Sequence, residues 1–292
     1  MNKCRNSRIL CWPSPAARSE VSPRHTGAFT LVELLVVISI LGLLAVLTVP
    51  AIKNLGKSNV AVSAARQLLD DVGHARAMAI GQHTTVYMVF VPTNFWYVNG
   101  VYLAPAWWNS LSQNDRSQVT NLTQSQMSGY TFISQGRLGD QPGQRQNDWQ
   151  YLSTWQALPD NAYIAGWKFY TPRNYYTGVN GGAYTVNSFA RAAVPFPTYT
   201  NALVSLPFIA FNYLGQLTTN GIDPSYTDEY IPLAQGSVAF GYNGTTKLPT
   251  LGPVQPGDVG ENPPGNSTNS MFNLVHVDAL TGRARLEFQK VQ

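Results

Sequence analysis

"GAFTLVELLVV", residues 27–37, sets a single acidic residue, Glu33, near the start of an apolar run that otherwise carries no charge before Lys53. An ionised side chain in hydrocarbon is costly, so an acid inside such a run signals a function and calls for a neutralising partner. Residues 34–52, LLVVISILGLLAVLTVPAI, are uncharged, and Glu33 is the one exception among the 21 residues from Phe29 to Val49. As a helix those residues would be about 31 Å long, enough to cross a bilayer core. A buried core helix is the alternative, but nineteen consecutive uncharged residues are more than a soluble core helix needs.

The charge pattern orients the run. Lys3, Arg5, Arg8, Arg18 and Arg24 against Glu20 give +4 in the first 28 residues, and from Phe29 onward 14 basic residues meet 14 acidic ones. The basic pI is therefore a property of the leader, not a sign of general affinity for nucleic acid. Five basic residues precede the run and Lys53 and Lys57 follow it, which predicts a cytoplasmic N-terminus and a body across the membrane in a periplasm-like space. Both cysteines, Cys4 and Cys11, lie in the leader, so the body supports no disulfide framework and no Cys-ligated metal.

A secretory signal peptide has a shorter apolar region that ends in its cleavage site. Here the small junction Thr26-Gly27-Ala28 precedes the run. Cleavage there would remove the basic leader and leave the apolar helix as the new N-terminus.

These residues resemble the type III signal of type IV prepilins and type II secretion pseudopilins. In that family a prepilin peptidase cuts before a Phe, the new amino terminus is N-methylated, and a Glu follows four residues later; Phe29 and Glu33 have that spacing. A Gly thirteen residues after the Phe and a Pro twenty-one after it are common there, and Gly42 and Pro50 occupy those positions. The family usually has Gly before the cut. Cutting after Gly27 would put Glu33 and Pro50 out of register, whereas cutting after Ala28 keeps both, so Ala28/Phe29 is the expected site and Gly27 the alternative.

Beyond Pro50, Ala61, Ala64, Leu68, Val72, Ala75 and Ala79 recur at helical spacing, with Arg66, Asp70 and His74 at i,i+4 on the polar side. This predicts an amphipathic stem that needs a sheet to pack on. Strand signals follow: TTVYMVFV (84–91), FWYV (95–98), AYIAGWKFY (162–170), PFIAFNYLG (207–215), SVAFGY (237–242), FNLVHVD (272–278) and GRARLEF (282–288). Ala279-Leu280-Thr281-Gly282 reads as the turn of a hairpin joining the last two. Residues 104–150 and 244–270, poor in charge and rich in Asn, Gln, Ser, Gly and Pro, read as loops or insertions. The order predicts an α+β protein: a leader over 1–28, a transmembrane and filament-core helix over 29–51, a stem helix over 52–82 and a β-rich head over 83–292. The head also resembles H-class minor pseudopilins and competence-type minor pilins. It has "ARxxAI" at Ala75–Ile80, "LP" at Leu158-Pro159, "F-x-x-x-G" at Phe211–Gly215 and "TGRxR" at Thr281–Arg285.

No catalytic constellation stands out. His74, His83 and His276 form no HxxxH or HExxH pair, and Walker and GxSxG motifs are missing, so no enzyme activity and no organic cofactor are expected. Asp223, Asp228 and Glu229 cluster in GIDPSYTDEY; hard cations such as calcium favour such oxygens, but the spacing fits no EF-hand, and a solvated loop is the competing reading. Trp96, Trp107, Trp108, Trp155 and Trp167 would build either a flat glycan- or protein-binding surface or simply core. Arg283 and Arg285 alternate on one strand face, and the competence-type resemblance makes them candidate DNA contacts, although two arginines on a neutral head attract phosphate only weakly.

What the resemblance implies is a minor pilin-like structural subunit of a type II secretion pseudopilus or type IV pilus. Its partners would be prepilin peptidase, an inner-membrane assembly platform, membrane lipid before assembly, and other pilin subunits. Glu33 would neutralise the amine of Phe29 on an adjacent subunit. The alternative is a minor pilin that captures DNA or glycans through its head.

Overall fold

The computed structural model describes residues 30–93, 97–98, 101–102, 104–135, 149–170, 173–177, 183–239, 258–267 and 273–287, with the backbone alone for 45–59, 97–98, 101–102, 104–106, 173–177, 183–185 and 258. The chain divides into two compact units between Ile52 and Lys53. In chain order the elements are α1 (Leu31–Gln82), β1 (Thr85–Phe90), β2 (Tyr97–Val98), β3 (Val101–Tyr102), α2 (Ala104–Ser110), α3 (Gln113–Gln124), β4 (Gly129–Gln135), β5 (Trp149–Tyr151), β6 (Gln156–Ala157) and β7 (Ala162–Ile164). There follow α4 (Trp167–Tyr170), β8 (Arg173–Thr177), β9 (Ala183–Val186), β10 (Ala190–Pro195), β11 (Leu203–Phe211), β12 (Leu217–Thr218), β13 (Glu229–Ala239), β14 (Asp258–Glu261), β15 (Asn273–Val277) and β16 (Ala284–Glu287).

In the first unit, every large aliphatic side chain of α1 described from Leu31 to Leu44 is exposed, from 81% at Leu31 to 47% at Val37. Among the described residues no helix is long and apolar enough to cross a membrane. Phe29 and the side chains of 45–51, which belong to the expected transmembrane segment 29–51, lie outside the described residues.

In the second unit α1 turns one stripe inward. Ala64, Ala65, Leu68, Val72, Ala75 and Ala79 are wholly buried, while Arg66, Asp70 and His74 are exposed on the other side. This is the amphipathic stem expected from the spacing, with Ala61 only half-buried at its margin. The stripe packs on an antiparallel sheet of order β10-β11-β1-β4-β5, with β12 on β11 and β6 on β4. Side chains alternate across a strand, so β1 serves two cores. Val86, Met88 and Phe90 join Leu68 and Val72 of the stem, whereas Tyr87 and Val89 face Leu111, Val119, Leu122, Phe196 and Phe208. A second antiparallel sheet, β14-β13-β15-β16 with β7 on β13, adds Ile231, Val275 and Val277 to the stem-side core. The fold is α+β, as the element order predicts.

The structure corrects several local expectations. Within 104–150, the described residues 104–135 do not form a loop: they build α2, α3 and β4, the strand paired with β1 along six residues, and residues 136–148 lie outside the described ones. The helix signal lies in Ser112, whose hydroxyl accepts from the backbone N–H of Asp115 (3.2 Å), and in Val119, Leu122 and Thr123 buried on one side. The Asn/Gln/Ser content that suggested a loop occupies the wet face. Over 162–170 only Ala162–Ile164 is strand, and Trp167–Tyr170 makes a single helical turn. Of 244–270, Asp258–Glu261 is an edge strand on β13. Phe95 and Trp96 of FWYV, and Phe240 to Tyr242 of SVAFGY, lie outside the described residues.

Candidate functional site

Thr30 and Glu33 form a capping box at the start of α1. The Glu33 carboxylate oxygen Oε2 accepts from the Thr30 backbone N–H and hydroxyl, each at 3.2 Å, and the Thr30 hydroxyl accepts in return from the Glu33 N–H at 3.2 Å. The pattern Thr-x-x-Glu satisfies helix-end donors that would otherwise lack an intrahelical partner. This role of Glu33 was legible in "TLVE" but absent from the reading based on charge alone. Gly27, Ala28 and Phe29 lie outside the described residues, Gly42 sits in α1 with open space around its Cα, and Pro50 lies within the helical backbone.

The four short head motifs lie where the head meets the stem. Arg76 Nε donates to the carbonyl of Thr281 at 2.7 Å. Gly215 has φ +78°, and a Cβ there would come within 2.7 Å of Ile80 Cδ1 and 3.2 Å of Arg76 Nε. Gly282 has φ +62°, and a Cβ there would fall 2.0 Å from the Gly215 carbonyl oxygen and 3.1 Å from the Phe211 ring. Three motifs thus lock one joint, and glycine is required at two positions because both backbone conformation and space exclude a side chain. Earlier along the stem, Gln67 Nε2 donates to Tyr130 Oη (2.7 Å) and to the carbonyl of Ala157 (3.0 Å), beside buried Leu158. The Tyr130 hydroxyl donates to Asp71. Burial, and then the Asp71 carboxylate, hold that phenol well above its ordinary titration range.

The candidate cation ligands do not converge. Asp223 accepts from Asn220 Nδ2 (2.8 Å), Asp228 pairs with His276 Nε2 (2.8 Å), and Glu229 forms an ion pair with Lys168. Asp228 and Glu229 are adjacent where β13 begins, so their side chains take opposite sides. Among the described residues no group of three His, Cys, Asp or Glu is arranged to hold a metal ion. Lys168 is fully buried, donates to the Asn187 carbonyl (2.5 Å) and lies 4.6 Å from the centre of the Phe189 ring. Burial pushes its amine below the usual range against the pull of Glu229, and burial pushes Glu229 up against the pull of Lys168.

Arg285 lies on β16, whereas Arg283 precedes that strand, so the two do not alternate along one strand as expected. His276 stands opposite Tyr230 on one side and Arg285 on the other, Asp228 and Glu287 bond its ring, and Asp278 lies in the turn before Arg283. Arg285 is bonded to Glu287 (Nη2, 3.1 Å), while Arg283 is exposed with no acceptor for its guanidinium among the described residues. Three acids offset two arginines, which leaves little positive field for a phosphate backbone. The described tryptophans among these candidates, Trp107, Trp108, Trp155 and Trp167, are buried or half-buried and do not form a flat surface. Trp107, Trp108 and Trp155 pack in the outer core around Phe196, Trp155 Nε1 donates to the Pro197 carbonyl (3.1 Å) and Trp167 Nε1 to that of Ser267 (2.7 Å); Trp96 lies outside the described residues.

The opening of α1 and the sequence before it carry a processing motif. Residues 23–49 match the prokaryotic N-terminal methylation motif, the signature of type IV pilin and pseudopilin substrates, a structural rather than enzymatic class. The motif implies processing by prepilin peptidase, anchorage in the inner membrane and assembly with other pilin subunits into a filament. No curated protein and no solved structure matches the chain.

Proposed function

We propose that the chain is a minor pilin-like subunit of a type II secretion pseudopilus or type IV pilus. The methylation motif at 23–49 carries this reading. In it, prepilin peptidase cuts between Ala28 and Phe29 on the cytoplasmic side, Phe29 becomes N-methylated, and the head over 83–292 stands in the periplasm. The exposed aliphatic face from Leu31 to Leu44 then finds lipid before assembly and neighbouring helices in the filament. Glu33 neutralises the amine of Phe29 on an adjacent subunit, which makes a carboxylate tolerable in an apolar bundle. Mass spectrometry of the mature protein tests the reading: it expects N-methyl-Phe29 as the first residue, and an intact Met1 or a terminus after Pro50 would overturn it.

A further inference from the structure

We infer that His276 is a proton-operated latch on the β15–β16 hairpin. Its ring is 5% exposed and stacks on Tyr230 with ring centres 4.4 Å apart. Nε2 faces Asp228 Oδ2 at 2.8 Å, and Nδ1 faces two groups at once: Glu287 Oε1 at 2.9 Å and Arg285 Nε at 3.0 Å. These two demands on Nδ1 exclude each other. An arginine only donates and a carboxylate only accepts, so Nδ1 must be a lone pair for Arg285 or an N–H for Glu287.

Two states follow. In the neutral ring, Nε2–H donates to Asp228 and Nδ1 accepts from Arg285. When a proton is added at Nδ1, Nε2–H keeps Asp228, Nδ1–H donates to Glu287, and the Arg285 Nε–H passes from Nδ1 to Glu287 Oε1, 3.3 Å away. Arg285 Nη2 already lies 3.1 Å from the same Glu287 oxygen, so the switch exchanges the acceptor of Nε and leaves the ion pair in place. The charged groups around the ring are Asp228 ahead of β13, Arg285 and Glu287 on β16, and Asp278 in the turn, with Arg283 at the foot of β16; this set goes from a net charge of −1 to 0 with the proton, counting the five side chains and the ring. Asp228 also accepts from the Ala279 N–H at 2.8 Å, so the latch ties β16 to the turn that receives Arg76.

The test is NMR on the full-length chain, 15N-labelled at His and Arg, in detergent, titrated from about pH 4 to about pH 9, with His276→Gln used only to assign the ring signals. The expected result is an Nε2–H tautomer at high pH, both nitrogens protonated at low pH, and an Arg285 Nε signal that shifts with the same midpoint. Arg285→Ala should let an Nδ1–H tautomer appear at high pH, and Glu287→Leu, which removes the carboxylate that accepts from Nδ1–H, should move the shared midpoint to lower pH. A ring that does not titrate in this range, an Nδ1–H tautomer at high pH in the unmodified chain, or an Arg285 signal independent of pH would each overturn the latch.

Discussion

Gly282 stands so close to Gly215 that a Cβ on the first would lie 2.0 Å from the carbonyl oxygen of the second. The contact joins the turn between β15 and β16 to the turn after β11, and Arg76 of the stem holds the outer side of the same turn through Thr281. Two head motifs and one stem motif therefore make a single structural joint.

Gly282→Ala should be severely destabilising. A left-handed φ and backbone overlap act together, and a loss of about 2–4 kcal/mol is expected. Gly73 is the control, because it lies in the exposed interior of α1 with nothing within 4 Å of its Cβ position. Gly73→Ala should raise stability by about 0.5–1 kcal/mol. Thermal unfolding of the detergent-solubilised chain reads both, and equal Tm values for the two variants would refute the joint.

One substitution separates the helix cap made by Glu33 from the charge pairing proposed for it. Gln at the same position keeps the capping box, since its carbonyl accepts from Thr30 as the carboxylate does. It loses the charge. Glu33→Gln should therefore preserve helix content and membrane insertion and abolish incorporation into filaments, measured by co-purification with other pilin subunits. Normal incorporation of this variant would reduce Glu33 to a cap.

Lys168 and Glu229 should behave as a coupled pair. Lys168→Met leaves the Glu229 carboxylate facing a largely apolar site, at a cost of about 3–5 kcal/mol. Adding Glu229→Leu should recover most of that loss, because the second substitution removes the stranded charge. A double-mutant cycle by chemical unfolding checks this; strictly additive effects would contradict the pairing.

Asp278 gives a pH dependence with a defined sign. The Thr281 hydroxyl and N–H, both donating to Oδ1 at 2.7 Å, hold its carboxyl below the usual range. A carboxyl depressed in the folded state contributes stability above its unfolded pKa, about 3.9, that is lost as pH falls through the lower folded value. Thr281→Val removes the hydroxyl donor. Its Asp278 should titrate closer to the ordinary value, and its stability deficit, present at neutral pH, should close in strong acid. An NMR titration of the Asp278 carboxyl carbon in both forms measures the shift.

The sequence by itself determined the features that are local and periodic. The methylation motif over 23–49 is written in a short local stretch, and the three- and four-residue spacing from Ala64 to Ala79 fixes the buried face of the stem. "TLVE" carried the helix cap as well. The turn at 279–282 was legible because a tight hairpin is a short-range object. Tertiary structure decided the rest. GYTFISQ became a strand paired with β1 only because α1 covers one face of the sheet and α2 and α3 the other, and a strand buried on both sides shows no alternation to read. Asp223, Asp228 and Glu229 are neighbours in sequence, yet strand alternation sends Asp228 to His276 and Glu229 to Lys168, 48 and 61 residues away along the chain. Arg76, Gly215 and Gly282 meet for the same reason: hydrogen bonding and close packing act over a few ångströms in space, and separation along the chain does not register in them.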